Sequence, residues 1–259
     1  MLHELSREHS GTERINGAPA TPRRTNTCER GARMDILFLG KHGDALCQAA
    51  AEFTAAAFES PTIIFASLGD PFPDELESWT GDYVFSYLCP WILPAEVLQG
   101  ARRACLNFHP GPPEYPGAGC TNMALYHEAA SYGVTCHHMI PQVDAGPIVE
   151  VRRFPVFQAD TVLTLTRRCH AHIAAVFYDI VSLILLGEAL PQSPEVWTRK
   201  AYTRKDLDAL KVVTPEMDER EVARRIRATT YPGWDGARME LHGRRFYLEG
   251  AAPEPKDPS

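Results

Sequence analysis

An apolar run near the middle of the chain ends in an amide and an imidazole, Asn107 and His109. Alternate residues of a strand face the same side, so both would point together from a strand end. A neutral imidazole takes up a proton near pH 7, and an asparagine amide donates to a developing oxyanion. A further group normally orients such a histidine or relays its proton. "QVDAGPI" supplies Asp144, with Gly146 giving the backbone room to turn. The spacing alone is equally compatible with polar residues that cap a turn.

The segment after His109 is stiff. Pro110, Pro112, Pro113 and Pro116 alternate with Gly111, Gly117 and Gly119 before the chain can become helical. A stiff loop lowers the cost of ordering groups around a reacting centre. Pro110, Gly111 and Tyr115 of this loop, with Asn122 and Tyr126 just beyond it, are candidates to line an acceptor pocket.

Other signals are local. In "SYLCPWILP" a strand closes at Leu88, and Pro90 and Pro94 bracket Trp91 and Ile92. The exposed backbone there could hydrogen-bond a flat heterocycle, and an ordinary strand-to-helix connection with a core tryptophan fits as well. Gly40, Lys41, His42 and Gly43 precede a helix whose N-terminus, with Lys41, could hold a phosphate. A plain tight turn fits equally. His137 and His138 are adjacent and would face opposite sides of a strand. With His127 they offer no four-ligand spacing, so no metal is expected. His170 and His172 read as helix-surface or core residues.

The elements that must position these groups are short apolar strands alternating with helices. Strands are expected over 34–40, 61–67, 82–88, 104–109, 133–140 and 148–156. Helices are expected over 44–58, 94–100, 120–131 and 161–186. The alternation predicts an α/β fold, a Rossmann-like, mostly parallel sheet with helices on both faces. Ligands of such sheets bind beyond the carboxyl ends of the strands, where Gly40, Leu88, His109 and Asp144 lie. After Gly187 two charged segments read as helices. Acids at Asp218, Glu219 and Glu221 precede bases at Arg224, Arg225 and Arg227, an order that suits the helix dipole. "YPGWDGARMELHGRRFYLEG" alternates around His242 and Gly243 and reads as a hairpin. Its apolar positions over 238–248 exceed what two strands bury alone, which suggests a dimer.

Composition narrows the classes. With 259 residues, 44% of them hydrophobic, the chain supports one large domain or a main domain with an appendage. A net charge of −7 gives no basic footprint for nucleic acid. Seven cysteines stand singly without a C-x-x-C pair, as expected of reduced core thiols in a cytoplasmic protein. The longest apolar stretch, 171–186, is interrupted by His172, Tyr178, Asp179 and Ser182, so no membrane span or membrane partner is expected. Residues 1–33 lack the apolar core of a signal peptide and read as a disordered extension, or as sequence upstream of a start at Met34.

"NFHPGPPEYPGAG", "YGVTCHH" and "VDAGPI", in that order, resemble the signature of the tetrahydrofolate-dependent formyltransferases. The likeness covers about residues 34–157. It implies a catalytic trio of Asn107, His109 and Asp144. It places the folate pterin against Leu88, Cys89, Pro90, Trp91 and Ile92 and against the loop of Ile140, Val143 and Asp144. Pro110-Gly111-Pro112-Pro113 replaces the Ser-Leu-Leu-Pro common in the tRNA and purine enzymes. With "SYLCPWILP" and "YTRKDL", this variant is most similar to the branch that formylates nucleotide-linked amino sugars. The resemblance implies N10-formyltetrahydrofolate as co-substrate, and the candidates for the acceptor side are Pro110, Gly111, Tyr115, Asn122 and Lys41. It also allows contacts between subunits through the C-terminal region. Catalytic domain, helical and hairpin subdomain, and flexible tail would then occupy 34–190, 191–250 and 251–259. The alternatives are another acceptor (glycinamide ribonucleotide, an amino acid or methionyl-tRNA), hydrolysis of the formyl donor, and a non-catalytic nucleotide-binding module. An acidic chain without an evident basic second domain disfavours tRNA.

Overall fold

The computed structural model describes residues 33–247. The expected N-terminal extension, Cys28 and the C-terminal tail fall outside these described residues. β1 (Ile36–Lys41), β2 (Thr62–Ala66), β3 (Gly81–Tyr87) and β4 (Ala101–His109) pair in parallel. β5 (Ser131–His138) and β6 (Ile148–Pro155) extend the sheet in antiparallel sense. The order across the sheet is β2-β1-β3-β4-β5-β6, a Rossmann-like and mostly parallel arrangement. The reversal has a local cause. The connection from β4 spends its length on the proline-rich loop and on α3 (Cys120–Tyr126), and it re-enters the sheet at the end it left.

Side chains alternate between two cores along the parallel strands. Ile36 and Phe38 enter one, and Leu37 and Leu39 the other. The larger core is closed by α1 (Ala45–Ala57) and α4 (Val162–Leu186), where Phe177 meets Phe38, Phe85 and Phe108 edge-on. α4 has the length and mean hydropathy, 1.8, of a membrane span. Here Leu165, Cys169, Ile173, Phe177, Ile180 and Ile184 of α4 are buried in that core. On the opposite face, Val97 of α2 (Ala95–Gly100) joins Leu37, Leu39 and Val84. Asn107 and His109 share the parity of Cys105, a member of this second core, so they leave the sheet on that face.

α5 (Arg204–Leu210) and α6 (Glu219–Thr229) follow an irregular stretch, and α6 packs on α3. α3 is shorter than expected, because Glu128 at φ 54° turns the chain out of the helix and Ser131 already belongs to β5. β7 (Arg238–Leu241) and β8 (Arg244–Tyr247) form the expected hairpin. His242 and Gly243 both take positive φ, 49° and 74°, as a tight two-residue turn requires. All six described cysteines are free thiols, five of them buried.

Candidate active site

Asn107, His109, His137 and Asp144 meet at the carboxyl end of β4. The β4–β5 register sets Asn107 opposite His137, and the loop after β5 returns Asp144 beneath them. Asp144 Oδ2 lies 3.1 Å from His109 Nδ1 and accepts the Gly117 N–H at 2.7 Å. Its Oδ1 lies 3.2 Å from His137 Nε2 and accepts from Asn107 Nδ2 at 3.2 Å. Asn107 Nδ2 is also 3.1 Å from His137 Nε2. Asp144 takes φ 44°, a left-handed conformation that aspartate tolerates better than most residues. Two residues on, a Cβ at Gly146 would lie 1.9 Å from the His138 carbonyl oxygen, so only glycine lets the loop close this tightly.

The two histidines and Asp144 are buried, while Asn107 is half-buried. Burial alone would raise the Asp144 carboxyl. His109, His137 and the Gly117 N–H overcome it and hold the carboxyl well below the usual carboxylate range. Burial holds His109 below the ordinary imidazole range, opposed by Asp144 and the Tyr115 carbonyl. Each ring nitrogen of His109 faces an acceptor, Nδ1 the Asp144 carboxylate and Nε2 the Tyr115 carbonyl at 3.0 Å. A neutral ring has one N–H for these two acceptors, and an added proton satisfies both.

The stiff loop builds this environment. A Cβ at Gly111 would stand 2.6 Å from His109 Nε2 and 2.8 Å from the Tyr115 oxygen. Glycine is therefore what allows that carbonyl to reach the ring. The Pro110 carbonyl accepts from Tyr132 Oη at 2.7 Å and from the Cys120 and Cys169 thiols at 3.2 Å each. A strap over 192–203, irregular in structure, holds the loop from outside. Tyr202 N donates to Pro116 O and Ala118 N to Tyr202 O, both at 2.8 Å. Trp197 of the strap meets His137 and His109 edge-on, with ring centroids 5.0 and 5.9 Å away. Its indole N–H donates to Gly146 O at 2.8 Å. Sequence reasoning missed Trp197, which lies in a stretch without periodicity, and missed His137 as a partner of Asp144.

The cluster borders a cavity of about 850 Å³. Leu88, Cys89, Pro90, Trp91 and Ile92 form one wall, and Ile140 and Val143 stand on the Asp144 loop. Leu88 takes φ 53°, and Trp91 is tethered by its indole N–H to the Asp70 carbonyl at 2.9 Å. Between Cys89 and Leu93 no backbone group pairs with another backbone group among the described residues. Lys41 and Pro110 also line the cavity. Four expected acceptor residues do not. Gly111 and the Tyr115 side chain are packed beneath the loop. Asn122 turns away, because α6 offers its amide the Ala228 carbonyl at 2.8 Å. Tyr126 likewise donates to Glu221 of α6. The α1 N-terminus is not free for phosphate, since Asp44 accepts the N–H groups of Leu46 and Cys47. His170 lines the cavity instead of the helix surface, and His172 stacks on Phe154 with centroids 4.3 Å apart.

The formyl transferase family model matches residues 67–181, a span that includes Asn107, His109, His137 and Asp144. This span is a formyl transferase domain. The chain is 28% identical over 184 residues to a methionyl-tRNA formyltransferase from Myxococcus xanthus, covering 70% of this chain. It spans 57% of the length of that curated relative. A sugar N-formyltransferase from a Shewanella species shares the fold with TM-score 0.68 and 19% identity, covering 86% of this chain and 99% of that one. An N-formyltransferase from Helicobacter canadensis, solved with folinic acid and dTDP-3-aminofucose, shares it with TM-score 0.64 and 14% identity. That match covers 82% of this chain and 86% of the other.

Proposed function

We propose that the chain transfers the formyl group of N10-formyltetrahydrofolate to the primary amine of a nucleotide-linked amino sugar. One observation carries the reading: a single carboxylate, Asp144, held between two imidazoles beside the Asn107 amide, at the edge of a cavity sized for small-molecule substrates. The Helicobacter structure, solved with a folate and a nucleotide-linked amino sugar, supports the choice of substrates.

The amine nitrogen attacks the formyl carbon, and negative charge develops on the formyl oxygen. Asn107 exchanges its 3.2 Å contact with Asp144 for that oxygen. The new ammonium loses a proton to the His109–Asp144 pair, whose ring already has an acceptor waiting at each nitrogen. When the carbon–N10 bond breaks, the proton passes to N10. His137 keeps the carboxylate in place from the far side. No covalent enzyme intermediate is needed. Cys89 in the cavity wall is pushed up to about 11 by burial and remains a thiol near neutral pH. The test is a panel of amine acceptors incubated with the formyl donor, read by the acceptor's gain of one formyl mass. Formate released without any acceptor would instead indicate hydrolysis.

A further inference from the structure

Behind the cavity wall lies a second carboxylate–imidazole pair that the chemistry above does not use, with only its imidazole lining the cavity. Asp44 Oδ1 accepts the N–H groups of Leu46 at 3.1 Å and Cys47 at 2.9 Å, capping α1. Its Oδ2 lies 3.0 Å from Nδ1 of His170, which reaches across from α4. Both side chains are largely buried, and His170 lines the cavity. The carboxylate holds Nδ1 as an N–H. Nε2 is the ring nitrogen left free, with no hydrogen-bond partner among the described residues.

A helix N-terminus behind the first strand would ordinarily attract an anion. Here an internal carboxylate already occupies it. A phosphate placed there would meet Asp44 at contact distance, and the charge of exposed Lys41 on the rim is screened by water. We propose that the Asp44–His170 pair sets acceptor specificity. It closes the α1 N-terminus to a phosphate monoester and presents His170 Nε2 to a hydroxyl group of the acceptor. Asp44 acts as a positioning residue, fixing the tautomer of His170. The inference rests on the formyl-transfer reading only in taking this end of the cavity for the acceptor.

Inorganic phosphate probes the closure without any turnover. Thermal unfolding of the full chain is followed in millimolar phosphate and in chloride of equal ionic strength. Asp44→Ser keeps a capping hydroxyl and removes the charge. It should gain more stabilisation from phosphate than the wild type does, because a ligand of the native state alone raises stability. The difference between variant and wild type cancels the general salting effect. Asp44→Asn serves in its place if the serine variant does not fold, with the same gain expected. Equal responses in wild type and variant overturn the closure.

Steady-state kinetics probe the contact. His170→Phe should raise the KM of the acceptor about tenfold, the equivalent of one neutral hydrogen bond. Its kcat should stay within about threefold. Asp44→Asn should move KM in the same direction. An unchanged KM, or a loss confined to kcat, assigns His170 to helix packing and overturns the contact. If no amine is formylated at all, the formyl-transfer reading fails, while the phosphate measurement still decides the closure.

Discussion

Asn107 and His137 stand opposite each other across the β4–β5 ladder, amide nitrogen to imidazole Nε2 at 3.1 Å. Because β5 runs antiparallel to β4, this register brings the second imidazole against Asp144, opposite His109. Asp144 Oδ1 serves Asn107 and His137, and Oδ2 serves His109 and the Gly117 backbone. One carboxylate therefore fixes the amide, both rings and the stiff loop.

Asp144→Asn keeps the shape and removes the charge. Turnover should fall by about 10²–10⁴, the range for misplaced acid–base groups, while folate and acceptor affinities change by less than about threefold. Single-turnover rates beside calorimetric affinities check this. Near-normal turnover would remove Asp144 from proton handling.

The shifts at Asp144 and His109 also set a pH dependence of stability. Asp144 is held low in the folded chain, so its contribution is complete above the ordinary carboxylate range and fades as pH falls through that range. His109 is held below the ordinary imidazole value of 6.5, so the unfolded chain takes up this proton first. Stability should fall as pH drops below 6.5 and be complete above it. Urea midpoints from neutral to mildly acidic pH test the sign. His109→Asn should flatten the upper part of the decline. An identical slope in the variant would contradict the assignment.

Asn122→Ala should lower stability by about 1 kcal/mol, the loss of one hydrogen bond between α3 and α6. The acceptor KM should not change. Denaturant unfolding and kinetics on one preparation separate the two, and a raised KM with unchanged stability would return Asn122 to the pocket.

Residues whose environment is local were legible before the fold was known. Strand parity put Asn107 and His109 on one face, and an aspartate before glycine marked Asp144. His137 was not legible in this role, because its partner depends on the β4–β5 register and not on its neighbour His138. Asn122 was misplaced because proximity to the loop does not say which way a helix turns. Trp197 escaped because the strap that carries it has no periodicity. Asp44, the cap of α1, and His170, on α4, are far apart in sequence and meet only where those helices pack.

A homodimer through the hairpin is proposed on the exposure of Leu241 and Phe246, 53% and 52%. Met239 pairs with Phe246, and Leu241 shares their face. Deleting the hairpin would be a poor test, since Arg238 is buried and ion-paired with Asp208 and Glu240. Leu241→Lys with Phe246→Lys is cleaner. Light scattering should give twice the chain mass for the wild type and the chain mass for the double variant. Chain mass for the wild type across micromolar concentrations would contradict the dimer.

The most direct test of the whole account is the acceptor panel. Nucleotide-linked amino sugars, glycinamide ribonucleotide and water alone compete as acceptors for the formyl group of N10-formyltetrahydrofolate, with products read by mass. At least one amino-sugar nucleotide should gain a single formyl mass at a rate that Asp144→Asn strongly lowers. Formylation of glycinamide ribonucleotide with every amino-sugar nucleotide inert, or formate release that needs no amine, would contradict the account.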